Sequence, residues 1–171
     1  RRIRQAHRWV VLHKNGLNIH WNKKAQMLLW NQIEGLACET TDSTFLGQTL
    51  KTRHRLTLFL ISGNLIQIDE RLKDLPDLAE RIKAKLHPHL LPKMRSAFNN
   101  GETLRFGPIR VHKQAIHVRE QAIPWEQVSR LNVSSGKLVI NSASKFALRI
   151  PVGKIPNIEL LIQILQEGVN P

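Results

Sequence analysis

The feature that most constrains the fold of this chain is a short motif that occurs twice. Leu29-Trp30-Asn31-Gln32-Ile33 in the first half corresponds to Pro124-Trp125-Glu126-Gln127-Val128 in the second. Each copy places an aromatic residue, a polar residue, Gln and a branched aliphatic residue after a run of alternating residues, which is typical of a strand. A landmark repeated in this way indicates one small domain made twice.

The segments around the two motifs also correspond. The turn at residues 13–16 matches residues 112–115, and Leu75-Pro76-Asp77-Leu78 matches Ile155-Pro156-Asn157-Ile158 at the start of a closing helix. Two copies are too few for a solenoid, which needs three or more units. The predicted structural landmarks of the repeat are Trp30, Trp125, Pro76 and Pro156.

These observations predict an α+β protein with two tandem units. Each unit is a bent antiparallel sheet or open barrel capped by a C-terminal α-helix. We expect a basic N-terminal arm over residues 1–8, a first domain over 9–100 with a long helical segment at its end, and a second domain over 101–171. The polar stretch 41–48 is predicted to be a loop.

Helix signals occur at the end of each half. Asp74 is a candidate N-cap, and Pro76 falls in the first turn, where a missing N–H costs little. Pro88 and Pro92 are expected to break or kink the continuation, so that residues 90–98 form a second helical piece. A final helix is predicted over about residues 156–167.

The charge is strongly basic, with 26 Lys and Arg against 13 Asp and Glu and a formal net charge of +13. Such a balance attracts nucleic acid, anionic lipid or acidic proteins without selecting among them, and a basic surface can also be merely solvated. No acidic residue occurs before Glu34. The candidate residues for binding an anion, a membrane or a partner are Arg1, Arg2, Arg4, Arg8, Lys23, Lys24, Arg53 and Arg55.

Localisation is predicted from the same basic start and from what the sequence lacks. No apolar run approaches the roughly 20 residues of a membrane helix, and no signal peptide is evident. The single cysteine, Cys38, fits a reducing compartment and a small buried side chain. We expect a cytoplasmic protein, peripheral to the membrane or anchored by a segment preceding Arg1. In the second case the basic arm would be juxtamembrane.

No catalytic or metal-binding pattern is recognisable. His87 and His89 lie close together, but no Cys or carboxylate occurs nearby at ligand spacing, so both are predicted to be surface histidines. There is no phosphate-binding loop, dinucleotide fingerprint or nucleophile elbow. The sequence therefore favours a non-enzymatic protein with no catalytic residues, no metal and no cofactor.

The repeated motifs carry a resemblance to a known fold family. Each half resembles a pleckstrin-homology-like (PH-like) domain, and the chain over residues 9–167 resembles an uncharacterised bacterial family with two such units in tandem. The resemblance rests on the two Trp motifs, the turn at residues 14–17, and the segments 101–108 and 155–157. It implies the fold, and binding of phosphoinositide, protein or peptide. The typical Lys…Lys/Arg-x-Arg spacing of lipid binders is absent around Lys14, Lys23 and Lys24.

Three functional hypotheses follow. The first is a binding or scaffold module at the cytoplasmic face of a membrane or within a protein assembly, using basic surfaces and exposed strand edges or the groove beside a helix. The alternative is a soluble nucleic-acid-binding protein, although no aromatic residues alternate with basic residues along an exposed strand. The third is a subunit packed permanently in a larger assembly.

Overall fold

The computed structural model describes residues 9–21, 24–45, 48–143 and 147–168. The protein is sheet-rich and mixed, with several antiparallel sheets, none of them closed, and two α-helices in the described part. The predicted basic arm, residues 1–8, and Lys23 lie outside the described residues.

The first half contains two three-stranded antiparallel sheets joined by the first Trp motif. Alternating residues face inward in both sheets, so that Leu17, Leu28 and Leu58 are fully or almost fully buried. The strands, in order within each sheet, are β1 (Trp9–Leu12), β2 (Gly16–Trp21) and β3 (Lys24–Leu29), then β4 (Ile33–Phe45), β5 (Gln48–Leu60) and β6 (Leu65–Asp69).

The second half repeats this order of elements. A four-stranded sheet precedes the second Trp motif, and a three-stranded sheet follows it. The strands are β7 (Leu104–Phe106), β8 (Ile109–Val111), β9 (Ala115–Val118) and β10 (Gln121–Pro124), then β11 (Val128–Ser134), β12 (Lys137–Ser142) and β13 (Ala147–Pro151).

Each Trp motif forms a 3-10 turn between the two sheets of its half. The Trp30 indole Nε1 donates to the Lys14 carbonyl at 3.0 Å, and the Trp125 indole Nε1 donates to the His112 carbonyl at 2.9 Å. Both rings are partly buried against the core of their own half. The two tryptophans thus tie the turn of one sheet to the start of the next.

One long helix, α1 (Leu75–Asn99), closes the first half, and α2 (Ile158–Gly168) closes the second. The predicted break at Pro88 and Pro92, with a separate helical piece over residues 90–98, is wrong, because α1 is continuous through both prolines. A kink at these prolines stays a prediction. Each proline removes one helical hydrogen bond. Both lie on the exposed side of α1, where water can bind the freed carbonyls.

Three other expectations need correction. The stretch 41–48, predicted to be a loop, is mostly strand, since β4 runs to Phe45 and β5 begins at Gln48. Asp74 precedes α1 but has a left-handed backbone and makes no side-chain capping bond. Pro76 lies in the first turn of α1, as predicted, whereas Pro156, predicted to open the last helix, lies two residues before α2. The structural counterpart of Asp74 is Asn157, also left-handed and immediately before its helix.

The buried apolar residues form two separate clusters, one in each half, and α1 contributes to both. Leu78, Ile82 and Leu86 belong to the first cluster. Phe98 belongs to the second, with Leu91, Met94 and Ala97 packed against it. The assignment of residues 9–100 and 101–171 to two domains stays a prediction, but the last turns of α1 pack with the second half.

Among the helices of the described ranges, none is both long enough and apolar enough to cross a bilayer.

Candidate functional site

The two halves meet where α2 begins, and Asn157 makes the central contact. Its backbone N–H donates to the Leu36 carbonyl at 2.8 Å, and its Oδ1 accepts from the Leu36 N–H at 3.2 Å. Its Nδ2 donates to the Glu34 carbonyl at 3.0 Å. Asn157 therefore pairs with the free edge of β4 as one residue of an added strand would.

Two glycines allow the halves to approach this closely. A Cβ on Gly35 would lie only 2.4 Å from Asn157 Nδ2, and a Cβ on Gly153 would lie 2.9 Å from the Cβ of Glu39. Neither glycine has a left-handed backbone, since the positive-φ glycines in the described residues lie elsewhere. Both positions require glycine because it has no side chain, and any larger residue would push the second half away from β4.

A charged cluster joins α1 to α2 beside this contact. Lys83 Nζ lies 2.9 Å from Glu80 Oε1 and 2.5 Å from Glu159 Oε1, and the Lys83 side chain is only 15% exposed. Burial pushes the pKa of Lys83 down, but hydrogen bonds to Glu159 and Glu80 outweigh it and raise that pKa above its usual value. Burial raises the pKa of Glu159, yet the bond from Lys83 lowers it overall. Further along, Arg95 Nε donates to Glu167 Oε2 at 2.6 Å.

A groove of about 560 Å³ lies between the two helices next to this cluster. Its charged end is formed by Glu80, Lys83 and Glu159, and its apolar wall includes Leu91 and Leu160. His87 also lines it, and its Nε2 is buried without a hydrogen-bond partner. Burial lowers the pKa of His87. The prediction of a surface histidine is therefore wrong for His87.

A second cleft, of about 370 Å³, lies between the start of α1 and strands β4 and β5. Cys38, His54 and Asp77 are among its lining residues, and the Thr40 hydroxyl lies 3.1 Å from His54 Nδ1. Burial raises the pKa of the Cys38 thiol to about 11, so the thiol is protonated and a poor nucleophile at neutral pH. Among the described residues, no three His, Cys, Asp or Glu side chains are grouped so as to hold a metal ion.

The described residues among the predicted anion-binding set are spread over the first half. Lys24 is exposed on β3. Arg53 and Arg55 are exposed on the same face of β5, and Arg55 Nη1 lies 3.8 Å from Glu39 Oε2. Arg1, Arg2, Arg4, Arg8 and Lys23 lie outside the described residues, so no common surface for the whole set is defined.

An exposed apolar surface lies on the side of the first sheet that faces away from the core. Trp9 is 41% exposed and Met27 58%, and Val11 and Leu29 are exposed beside them. The register places Val11 opposite Asn18, and Asn18 opposite Met27, in one line across β1, β2 and β3. The Trp9 ring stacks on the His20 ring at 5.0 Å. We call Trp9, Val11, Met27 and Leu29 the outer apolar face.

The sequence did not reveal the residues that join the halves. The repeat in the sequence aligns Asn157 with Asp77 rather than with Asp74, and nothing local to Lys83 or Glu159 indicates that they pair. Their partners are 121 and 76 positions away along the chain. The one available signal was Gly35, a glycine inside an apolar strand, which often marks a close backbone approach.

Comparison with known protein families gives a match over residues 2–171 to a family described as Family of unknown function (DUF6585). No curated protein matches the chain.

Proposed function

Since the chain belongs to the DUF6585 family, we propose a function from its own surfaces: a non-enzymatic binding and scaffold module that attaches to an anionic membrane surface through its first half. We place it at the cytoplasmic face, where anionic lipids attract basic segments. The attachment would be peripheral and would combine apolar insertion with charge attraction.

We also propose that the two halves are tandem PH-like units. The order of elements supports this, because each half has a meandering sheet, a Trp turn, a three-stranded sheet and one closing helix. Matched bonds support it further. The backbone N–H of Trp30 donates to the Asn15 carbonyl, and the backbone N–H of Trp125 donates to the Gln114 carbonyl, at equivalent places in the two turns.

The outer apolar face carries the membrane proposal. Four large apolar side chains on one exposed face are unusual for a solvated sheet, and Trp is a favoured residue at the membrane–water interface. Basic residues adjoin this face in sequence, since Arg8 directly precedes Trp9 and Lys23 and Lys24 lead into β3. Each basic residue near an anionic surface contributes about 1 kcal/mol.

Vesicle sedimentation of the whole chain tests the charge contribution. We expect binding to vesicles of phosphatidylcholine with phosphatidylserine, and weak binding to phosphatidylcholine alone. Replacing six basic residues by Gln should abolish the binding to anionic vesicles at about 0.1 M salt. The residues are Arg1, Arg2, Arg4, Arg8, Lys23 and Lys24. Unchanged binding would contradict the proposal.

A second pair of variants tests the apolar contribution. Trp9→Ser with Met27→Ser should weaken vesicle binding by about tenfold, the effect of losing roughly 1.4 kcal/mol. The matched control is Ile61→Ser with Leu65→Ser, which removes two exposed apolar side chains, 68% and 56% exposed, from the β5–β6 hairpin. The control should bind as the wild type does. An equal loss in both pairs would rule out a specific role for the outer apolar face.

The nucleic-acid alternative predicts a different set of results. Oligonucleotide affinity would fall steeply with salt, because binding to phosphates releases counterions. The Trp9 and Met27 substitutions would leave it unchanged. Binding to oligonucleotide with no response to lipid would favour this alternative.

The edge of β11 supports a second candidate function, the capture of a protein segment. In the first half the free edge of β4 is already occupied by Asn157. Leu131 holds the position in β11 that Leu36 holds in β4, since each lies four residues after the last residue of its Trp turn and follows a bulge. The ladders of the described residues pair β11 with β12 alone. An extended segment could add to this edge.

Photocrosslinking in cells tests the segment-binding candidate. A photoreactive residue at Asn132 on β11 should trap a partner protein, and the same residue at Arg149 on β13 should not. Equal crosslinking at the two positions would exclude a specific strand edge.

A further inference from the structure

The sheet of the second half carries a basic row on its outward side. Arg105 on β7 lies opposite Arg110 on β8, and Arg110 lies opposite His117 on β9. Both arginines are exposed and His117 is half-buried, while the residues alternating with them, such as Phe106 and Ile109, are fully buried. We call Arg105, Arg110 and His117 the basic row.

The row is held in place but not neutralised. Arg110 Nη2 donates to the Arg119 carbonyl at 3.2 Å, which fixes the guanidinium toward the end of β9. Neither Arg105 nor Arg110 forms an ion pair within the described part of the chain. Like charges placed directly opposite on neighbouring strands destabilise a sheet. Repulsion between Arg105 and Arg110 therefore destabilises the sheet, and a bound anion would relieve that repulsion.

The fold does not require a charge at Arg110 or His117, because the first half has uncharged residues at the matching places. Val11 and Asn18 hold the places of Arg110 and His117, whereas β7, which carries Arg105, has no matching strand among the described residues of the first half. The match is set by the turns, since the His13 N–H bonds to the Gly16 carbonyl as the His112 N–H bonds to the Ala115 carbonyl. The place that Arg110 holds in the second half is thus apolar in the first half, where Val11 holds it.

We infer that the basic row is a binding site for a dianionic phosphate group. Side chains directly opposite on neighbouring strands have Cβ atoms about 5 Å apart, so two guanidinium groups can contact one oxyanion. The planar fork of Arg binds two phosphate oxygens at once, which Lys cannot do. His117 supplies a third donor at the end of the row. This site lies on the other half from the outer apolar face and is independent of the membrane proposal.

The bound phosphate is either free in solution or part of a lipid headgroup, and two probes distinguish these two cases. Inorganic phosphate is titrated into the labelled whole chain by NMR, with acetate as the carboxylate comparison. Vesicles containing phosphatidic acid are compared with vesicles of equal charge containing phosphatidylserine. Amide shifts confined to β7, β8 and β9 on adding phosphate, and absent with acetate, support a free source. Selective binding to vesicles that contain phosphatidic acid, together with no amide shifts on adding inorganic phosphate, supports a lipid source.

Three variants identify the residues responsible. Arg105→Gln with Arg110→Gln should lower affinity for the responding probe by at least about tenfold. Arg105→Lys with Arg110→Lys keeps the charge and should lose the preference for phosphate over acetate, or for phosphatidic acid over phosphatidylserine. The charge control is Arg130→Gln with Arg149→Gln, two exposed arginines on β11 and β13. It should behave as the wild type does.

The inference is overturned if neither probe responds, if the control pair loses as much affinity as the Gln pair, or if the Lys pair keeps the full preference. The Trp9 and Met27 variant separates the two proposals. It should weaken binding to phosphatidylserine vesicles about tenfold and keep the phosphate response of the basic row.

Discussion

At the scale of the residue, Asn157 and Asp74 show how one backbone conformation serves two purposes. Both are left-handed, with φ of 52° and 56°, and both directly precede a closing helix. Asp74 is exposed and its side chain caps nothing, whereas Asn157 is 2% exposed and pairs with β4. A short polar residue at each place could be read from the sequence. The sequence did not show which of these two residues would be buried.

Asn157→Gly should lower the free energy of unfolding by about 2 kcal/mol. Glycine keeps the left-handed backbone, so the loss reports the two side-chain hydrogen bonds and the Leu36 N–H left without its partner. Asp74→Gly is the matched control and should change stability by less than about 0.5 kcal/mol or raise it slightly. Urea denaturation measures both. Equal effects would mean that the inter-half bonds contribute nothing.

The pKa shifts at the helix junction predict loss of stability in acid. The pKa of His87 is lowered on folding from 6.5, so the unfolded chain binds its proton more readily, and stability falls as the pH drops through that value. The pKa of Glu159 is lowered from 4.5, so its stabilisation is present above that value and is lost further into acid. The pKa of Lys83 is raised on folding from 10.5, so the stabilisation that its charge gives the folded protein is fully present below pH 10.5.

Urea denaturation at a series of pH values measures this dependence. His87→Gln should remove the decline between about pH 7 and 5 and leave the steeper decline at lower pH. A variant that declines as the wild type does between pH 7 and 5 would show that another group is responsible.

At the scale of the element, α1 is the largest departure from what its sequence predicts. Two prolines four residues apart normally end a helix. Here the apolar stripe from Leu75 to Leu86 anchors the first turns on one core, and Met94 and Phe98 anchor the last turns on the other. Burial at both ends outweighs the lost hydrogen bonds in the middle. Local signals predicted the break, and tertiary packing overrides it.

Pro88→Ala and Pro92→Ala should each stabilise the protein by about 1 kcal/mol or more. Alanine restores a helical N–H and removes the ring that crowds the preceding turn, and both positions are exposed. The control is Ala84→Ser on the same exposed side of α1, which should lower stability by only a few tenths of a kcal/mol. Thermal unfolding measures all three. A loss of stability in the proline variants would show that the rings themselves make necessary contacts.

At the scale of the whole molecule, α1 and the β4–α2 contact couple the two halves. The last turns of α1 pack in the second core, and Lys83 and Arg95 each bond across to α2. Neither half can lose its structure without exposing apolar surface of the other. We therefore expect the doubled fold to unfold as one cooperative unit, although its two cores are separate.

We expect one unfolding transition for the whole chain. Three of the four tryptophans, Trp9, Trp21 and Trp30, lie in the first half, and Trp125 lies in the second. Fluorescence of a Trp125→Phe variant therefore reports the first half, and a variant with Phe at the other three positions reports the second. Both signals should follow circular dichroism. Adding Asn157→Gly should separate the two transitions, because it weakens the coupling between halves without touching either core. Two well-separated midpoints in the wild-type chain would contradict the coupling.

The sequence by itself determined the features set by neighbouring residues. The strand alternation, the helical stripes, the two Trp turns and the repeated order of elements all follow from short-range patterns of burial and backbone preference. Only the tertiary structure decided the features formed by distant residues: the pairing of Asn157 with Leu36, the burial of Lys83 and His87 between two helices, and the continuity of α1. It also decided that matching faces of two similar sheets are apolar in one half and basic in the other. In β1 all four residues are apolar, so alternation could not tell which of them face outward until the core had formed.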